Sequence, residues 1–234
     1  MFADFIAYLS VESNWTGPTG ILIRVLEHLA ISAMAIAIAA GIAIPVGLMI
    51  GHTGRGQAPI VGLANGLRAI PSLGLMTLLI LFISSDIIPP LIALVILAIP
   101  PLLAGAYSGV AIVPRATIDA ARSMGMSESR ILFQVEVPNA LPLMLAGLRG
   151  ATLQVIATAT IAAYVNLGGL GRYIFDGLAL YDYALVLVGA ILVSLLGIGL
   201  DALLASLVRV ARPGRVSPLR RDTALHAEIA RRVA

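Results

Sequence analysis

The sequence predicts an all-α protein that crosses a membrane several times. Of its 234 residues, 59% are hydrophobic and only 12% are charged, whereas an average soluble domain has roughly 25% charged residues. With this small number of charged side chains, the protein cannot cover a surface that faces water. A lipid bilayer must therefore solvate most of the chain. The apolar residues also lie in long runs, and a membrane-spanning helix needs about 20 of them in succession.

Five segments are long and apolar enough to be membrane-spanning helices. They cover approximately Ile21–Ile50, Ile60–Ile83, Ile87–Val113, Leu141–Tyr164 and Ala184–Val208. Four prolines predict a bend or a break in the third span, because proline removes a backbone hydrogen-bond donor. They are Pro89, Pro90, Pro100 and Pro101.

The chain divides into two short ends and one membrane domain, residues 21–208. Residues 1–20 have no basic start and contain Asp4 and Glu12, so we expect an extracytoplasmic or interfacial segment rather than a signal peptide. Residues 209–234 are basic. We expect them to form a flexible or surface-lying tail, whose charge suits an anionic inner leaflet.

The positions of the arginines predict the orientation of the chain. All fifteen basic residues are Arg. If the polar loop around Asp119 is cytoplasmic, eleven arginines lie in cytoplasmic segments and one, Arg172, lies outside. Cytoplasmic loops carry the excess of basic residues in membrane proteins. We therefore expect the N-terminus outside and the C-terminus in the cytoplasm.

A polar loop between the third and fourth spans, residues 114–138, contains the most specific motif in the chain. It includes "DAARSMGMSESRILFQVEVP", from Asp119 to Pro138. Gly125 can adopt a positive φ and so end a first short helix. Ser127 opens a second short helix, and we expect Pro138 to stop it. The loop is thus predicted to be two short helices joined by a glycine elbow.

This loop resembles the signature loop of ABC importer permeases, E-A-A-x3-G-x9-I-x-L-P. The spacing matches throughout, with Asp in place of Glu and Val in place of Ile and Leu. The matching residues are Asp119, Ala120, Ala121, Gly125, Val135, Val137 and Pro138. The resemblance implies the type I ABC importer permease fold, in which this loop is a coupling helix that docks on separate ATPase subunits. The alternatives are an ordinary loop containing an amphipathic helix and a non-transport membrane protein that docks cytoplasmic partners.

Segments on both sides of the loop resemble the glycine betaine, carnitine and choline branch of this family. They are "LRAIPSLGLM", "AIPPLLAGAYSGV" and "AGLRGATLQVIATATIAAYVNLGGLGRYIFDGL". This resemblance implies import of a quaternary-ammonium osmoprotectant, such as glycine betaine, choline, carnitine or proline betaine. An extracytoplasmic binding protein would select the substrate, and a second copy or a sister permease would complete the pathway. Methionine importer permeases share the fold, so an importer of methionine or another amino acid is the alternative.

The sequence lacks patterns for catalysis, metal binding or cofactor binding. It contains no G-x4-G-K-[ST] phosphate loop, so we expect the partner ATPase rather than this chain to bind ATP. The histidines His28, His52 and His226 are scattered, and no nucleophile lies beside a general base in the pattern of an active site. We therefore expect a non-enzymatic transport component of the cytoplasmic membrane, in contact with lipid and without a nucleic-acid partner.

Three charged residues fall within the predicted spans at a similar depth. Arg68, Arg149 and Asp201 each lie about seven or eight residues from the cytoplasmic end of a span, which is about 10–12 Å. We predict that Asp201 pairs with Arg149 or Arg68; alternatively, each Arg extends to the inner headgroups. Gln154 and Thr158 share a helix face and are candidates for lining the pathway. The alternative for them is ordinary helix contact.

Aromatic residues cluster near the predicted outer ends of the fourth and fifth spans. They are Tyr164, Tyr173, Phe175, Tyr181 and Tyr183. Aromatic cages bind quaternary ammonium groups, but aromatic residues also form belts at the membrane interface. We favour the belt, because the binding protein would select the substrate.

Overall fold

The structure, a computed structural model, describes residues 2–165 and 167–211, and every regular element in this part is helical. The helices are α1 (Phe2–Ser10), α2 (Ile21–Thr53), α3 (Gln57–Arg68), α4 (Ser72–Phe82), α5 (Ile88–Ala111), α6 (Arg115–Ser123), α7 (Glu128–Ile131), α8 (Val137–Ala162), α9 (Gly171–Leu180) and α10 (Tyr183–Ala211). A π-helical segment, Leu132–Glu136, joins α7 to α8. The predicted basic tail beyond Ala211 lies outside the described residues.

Four helical runs in the described residues are long and apolar enough to cross a membrane: α2, α5, α10 and the run Glu128–Val165. The segment predicted as the second span is instead two helices, α3 and α4, which meet at 91°. Pro71 precedes α4 directly and has no N–H to continue α3, and its ring disfavours a helical Ile70. This bent pair is a fifth span only if both helices cross the membrane together.

Helix α5 is continuous through Pro100 and Pro101, so the third span is not broken there, and the bend stays a prediction. Pro89 and Pro90 lie in the first turn of α5. Backbone N–H groups in a first turn have no partner within the helix, so proline costs little there. Pro89 and Pro90 therefore mark the start of this helix.

Helix α5 occupies the centre of the bundle, between α2 and α8, and small residues make this packing possible. On α2, Ala39, Ala43 and Gly47 form a buried stripe at four-residue spacing. Where α5 crosses α8, a Cβ added to Gly105 would lie 2.8 Å from the Cα of Gly147. Small residues let helix backbones approach closely where lipid supplies no hydrophobic driving force. In the described bundle, α5 therefore packs closely against both α2 and α8.

The bundle has two ends, which are named here by their residues. The loop end carries residues 114–127 and the last turn of α2, and the far end carries the first turns of α2 and residues 167–170. Helix α10 packs on α8 and α9, while α3 and α4 pack on α5. Large apolar side chains on the outward face of α10, such as Leu195 and Ile198, remain exposed, as expected of a surface that faces lipid or another membrane subunit.

Candidate functional site

The signature loop forms a helical elbow at the loop end. Helix α6 ends at Ser123, and Gly125 has the predicted positive φ, at 79°. The Gly125 N–H donates to the carbonyl of Arg122 at 2.9 Å, and the Met126 N–H donates to the carbonyl of Ala121 at 3.2 Å. This pair of bonds is a Schellman cap, which ends a helix and turns the chain sharply.

The elbow presents an exposed surface that contains apolar side chains. Asp119 and Ala120 are exposed, whereas Ala121 is buried against the loop. Met124 is 76% exposed and Phe133 is 63% exposed. Met124 lies before the run Glu128–Val165 and Phe133 lies near its start, and exposed apolar side chains on such a polar loop are typical of a protein–protein contact. The sequence did not single out Met124 or Phe133, because both fall on unspecified positions of the motif.

The second half of the loop is continuous with α8. Helix α7, the π-helical segment and α8 form one run, Glu128–Val165, so the predicted stop at Pro138 was wrong. Pro138 lies in the first turn of α8, directly after the π-helical segment. A π-helical turn spaces the backbone hydrogen bonds more widely, which accommodates a residue with no N–H. Val135 and Val137 are partly buried within this run, which joins the elbow to α8 without a break.

A network of ionisable side chains ties the elbow to the last turn of α2. Arg122 donates through Nε and Nη2 to the carboxylate of Glu128 at 2.7 and 3.0 Å, and its Nη1 lies 3.4 Å from Asp119. The His52 ring lies between two glutamates. Its Nε2 is 3.2 Å from Glu128 and its Nδ1 is 2.5 Å from Glu136. These contacts connect both helices of the elbow to α2, and we call the five residues the elbow network.

Glu136 is the most deeply buried member of the elbow network, with 2% of its side chain exposed. Sequence reasoning missed both Glu136 and His52. One signal was present, since a carboxylate inside the apolar stretch "ILFQVEVP" needs a partner if it is buried. A cavity of about 190 Å³ adjoins the network, and His52, Arg122 and Glu136 contribute to its wall.

Arg122 holds the pKa of Glu128 below its ordinary value, mainly through their hydrogen bond. A carboxyl group with a depressed folded-state pKa stabilises the fold above its unfolded pKa. That contribution is lost as the pH falls through the folded pKa. We therefore predict that Arg122→Gln raises the titration midpoint of Glu128 towards the ordinary value.

Carboxyl NMR of isotope-labelled glutamate in nanodiscs measures this midpoint. Arg130→Gln is the matched control, because Arg130 is exposed nearby and forms no ion pair within the described residues. The control should leave the midpoint of Glu128 where it is in the wild type. A Glu128 midpoint that does not move in Arg122→Gln would contradict the prediction.

The structure brings together two of the three predicted intramembrane charges. Arg149 donates through Nε and Nη2 to the two carboxylate oxygens of Asp201, at 2.5 and 2.7 Å. This two-point ion pair joins α8 to α10 and is the strong geometry for Arg and carboxylate. Arg68 does not belong to the pair, and within the described part of the chain its side chain makes no ion pair or hydrogen bond.

The two candidate pathway residues lie in different environments. Gln154 is exposed, and it borders the same cavity as Arg68. Thr158 is buried, and its hydroxyl donates to the backbone carbonyl of Gln154 at 2.8 Å. Helical threonines often satisfy their hydroxyl in this way. Thr158 thus differs from the prediction, since it packs inside the bundle and only Gln154 of the two faces an open space.

We expect Asp201→Asn to lower the thermal unfolding temperature of the purified protein, because Arg149 would keep its charge and lose its counter-charge at membrane depth. Replacing both partners by leucine should recover part of the loss, because no uncompensated charge remains. Asp176→Asn is the control. It breaks an i,i+4 pair with Arg172 at 2.8 Å, and such pairs contribute little. A double leucine variant less stable than Asp201→Asn would contradict this account.

At the far end, the start of α2 is fastened to the turn that precedes α9. The Glu27 carboxylate accepts hydrogen bonds from the Gly169 N–H at 2.7 Å and from Arg24 at 2.9 Å. Tyr173 is buried, and its hydroxyl donates to the carbonyl of Thr19 at 2.9 Å. These bonds fix the far end of the bundle through side chains of α2 and α9.

The aromatic residues near the far end do not surround one common space. Tyr164 and Phe175 form one pair, with ring centroids 5.4 Å apart. Tyr173 is buried against Tyr8, whereas Tyr181 and Tyr183 are exposed. This dispersed arrangement is compatible with an interfacial belt and does not form a cage within the described residues.

Comparison with known proteins identifies the family to which the chain belongs. A family described as "Binding-protein-dependent transport system inner membrane component" matches residues 43–212. The carnitine transport permease protein OpuCB of Listeria monocytogenes is 34% identical over 202 residues, which are 83% of this chain and 93% of that protein. The glycine betaine/carnitine/choline transport system permease protein OpuCB of Bacillus subtilis is 32% identical over 187 residues, 80% of this chain and 86% of that protein.

A solved structure shares the fold. A chain of the MetNI methionine ABC transporter in an inward-facing conformation matches with a TM-score of 0.75 and 21% identity, over 82% of this chain and 96% of that one. The family match extends over more than half of the chain, and the two relatives are similar along most of their length. The chain is a transport permease and not an enzyme, and it belongs to the family of binding-protein-dependent transport system inner membrane components.

Proposed function

We propose that the chain is the permease subunit of an ABC importer that carries a quaternary-ammonium osmoprotectant into the cell. Two relatives above 30% identity are named for transport of carnitine, and one of them also for glycine betaine and choline. The likeness to the methionine transporter, at 21% identity, concerns the fold alone. Substrates of the glycine betaine, carnitine, choline or proline betaine type are therefore better supported than an amino acid.

The exposed elbow that continues into α8 is the observation that carries the proposal. An ATPase subunit that closes against Met124 and Phe133 would displace the elbow, and the uninterrupted run Glu128–Val165 would pass this displacement into the bundle. The elbow network would move α2 together with α8. A protein that only docks cytoplasmic partners would not need its docking surface joined directly to two membrane-spanning helices.

We infer that the working unit contains two permease chains, either two copies or one copy with a sister permease. Helix α5 fills the centre of the described bundle, so a pathway must run outside a single chain. The arginine distribution supports a loop end in the cytoplasm and an N-terminus outside. Two ATPase subunits, which would bind the ATP, would dock at the loop end, and a substrate-binding protein would dock at the far end.

Reconstitution in proteoliposomes with the cognate ATPase and binding protein tests the proposed function. We expect uptake of a quaternary-ammonium solute and stimulation of ATP hydrolysis by a binding protein loaded with glycine betaine or carnitine. Stimulation by a methionine-loaded binding protein would favour an amino-acid importer. Failure to recruit any ATPase subunit would favour a docking protein without transport activity.

A further inference from the structure

We propose that Arg68 and Gln154 form a carboxylate-binding site on the translocation pathway. The site would favour zwitterions such as glycine betaine and carnitine over choline, which has no carboxylate. The inference rests on the proposed function, because it specifies the substrate chemistry of that same pathway.

Arg68 is a cation without a partner in the described residues, in contrast to Arg149, which is paired with Asp201. It ends α3, roughly 17 Å along the helix from Gln57 at 1.5 Å per residue. A guanidinium stays charged at any physiological pH, and Arg68 is exposed, so its N–H donors are open to an anion.

The space beside Arg68 has the make-up of a small-molecule site. A cavity of about 300 Å³ lies between α3, α5 and α8, lined by Arg68, Leu97, Pro101, Gly150 and Gln154. Ligand pockets begin at about this volume and combine apolar walls with a few convergent polar groups. The guanidinium can offer two parallel N–H donors to a carboxylate, and the Gln154 amide can offer another.

The break between α3 and α4 adds to the positive potential in this region. Helix α4 begins at Ser72, four residues after Arg68, and no side chain caps its first turn. An uncapped helix N-terminus leaves N–H donors free and carries a partial positive charge. Transporters commonly place such broken helices at their substrate sites, with the N-terminus towards an anionic group.

The charge of this lining distinguishes substrates within the osmoprotectant class. None of the five described lining residues is acidic, so a bare cation such as choline gains no counter-charge and is repelled by Arg68. A zwitterion can instead place its carboxylate on the guanidinium and turn its ammonium group away. The site would therefore accept betaines and carnitine and disfavour choline.

The test measures binding of radiolabelled carnitine and choline to the purified permease–ATPase complex without the binding protein, together with uptake of both solutes when it is present. Arg68→Gln should weaken carnitine binding and uptake by about tenfold or more, the loss expected for a hydrogen bond to a charged group. Choline should be unaffected or improved. Arg68→Lys should be intermediate, since it keeps the charge without the two-point geometry.

Arg209→Gln is the matched control, because Arg209 is exposed in the last turn of α10 and should change neither solute. Carnitine binding and uptake that are equal in wild type and Arg68→Gln would overturn the inference and leave the proposed function intact. Wild type that handles choline as well as carnitine would also overturn it. Native mass spectrometry shows whether the two permease chains stay together in Arg68→Gln. If they separate, Arg68 belongs to their interface, and the inference is overturned. Wild type that imports no quaternary-ammonium solute would overturn the proposed function instead.

Discussion

Replacing Gly125 by valine is expected to remove most of the coupled ATP hydrolysis while the permease stays folded in the membrane. Gly125 has φ of 79°, a conformation that L-residues adopt at a cost of roughly 1–2 kcal/mol. No neighbouring atom lies within 4 Å of an added Cβ, so the cost arises from the backbone and not from crowding. Relief of this strain would open the Schellman cap and move the exposed face of the elbow away from the ATPase.

The measurement is ATP hydrolysis by the reconstituted transporter, stimulated by the substrate-loaded binding protein. We expect a decrease of about tenfold or more in Gly125→Val, and a smaller one in Gly125→Asn, because Asn tolerates the left-handed region better. Gly197→Val is the matched control, since Gly197 lies in α10 with an ordinary φ and open space around it. Wild-type stimulation in Gly125→Val would show that coupling does not depend on the elbow geometry.

The sequence predicted the features that depend on local chemistry. The positions of the long spans follow from runs of apolar residues, and the positive φ of Gly125 follows from the motif and from the freedom of glycine. The pairing of Arg149 with Asp201 was one of two pairings that the sequence predicted. Both came from the similar depth of the three charges, since a charged side chain can reach only partners at its own depth in the membrane. Depth alone could not decide whether Arg149 or Arg68 is the partner of Asp201, because it does not determine the direction in which a helix face points.

The features that sequence reasoning missed depend on how distant segments meet. His52 and Glu136 are 84 positions apart, and neither belongs to a local pattern that points to the other. The prediction that Pro138 ends the helix was wrong because a π-helical segment precedes the proline. No spacing pattern in the sequence predicts such a segment. Proline acted differently at Pro71, where no widened turn precedes it and the helix axis turns by 91°.

Glu136→Leu is expected to reduce coupling as strongly as Gly125→Val and also to destabilise the protein. The buried carboxylate contacts the His52 ring at 2.5 Å, and its loss leaves the ring without its closest partner. A hydrogen bond to a charged group contributes about 2 kcal/mol. Glu136→Gln retains hydrogen-bonding capacity and should be milder. Glu128→Gln should also be milder, because the side chain of Glu128 is 55% exposed and water can replace its contact with His52.

A double variant separates the contribution of the His52–Glu136 contact to stability from its contribution to coupling. With leucine at both His52 and Glu136, neither side of this contact leaves a polar group unpaired, so the unfolding temperature should return most of the way to the wild-type value. Coupled ATP hydrolysis should stay low, because α2 would no longer be tied to the elbow when the ATPase subunits close. If hydrolysis recovered together with stability, the His52–Glu136 contact would only hold the fold, and the elbow would act on the bundle through α8 alone.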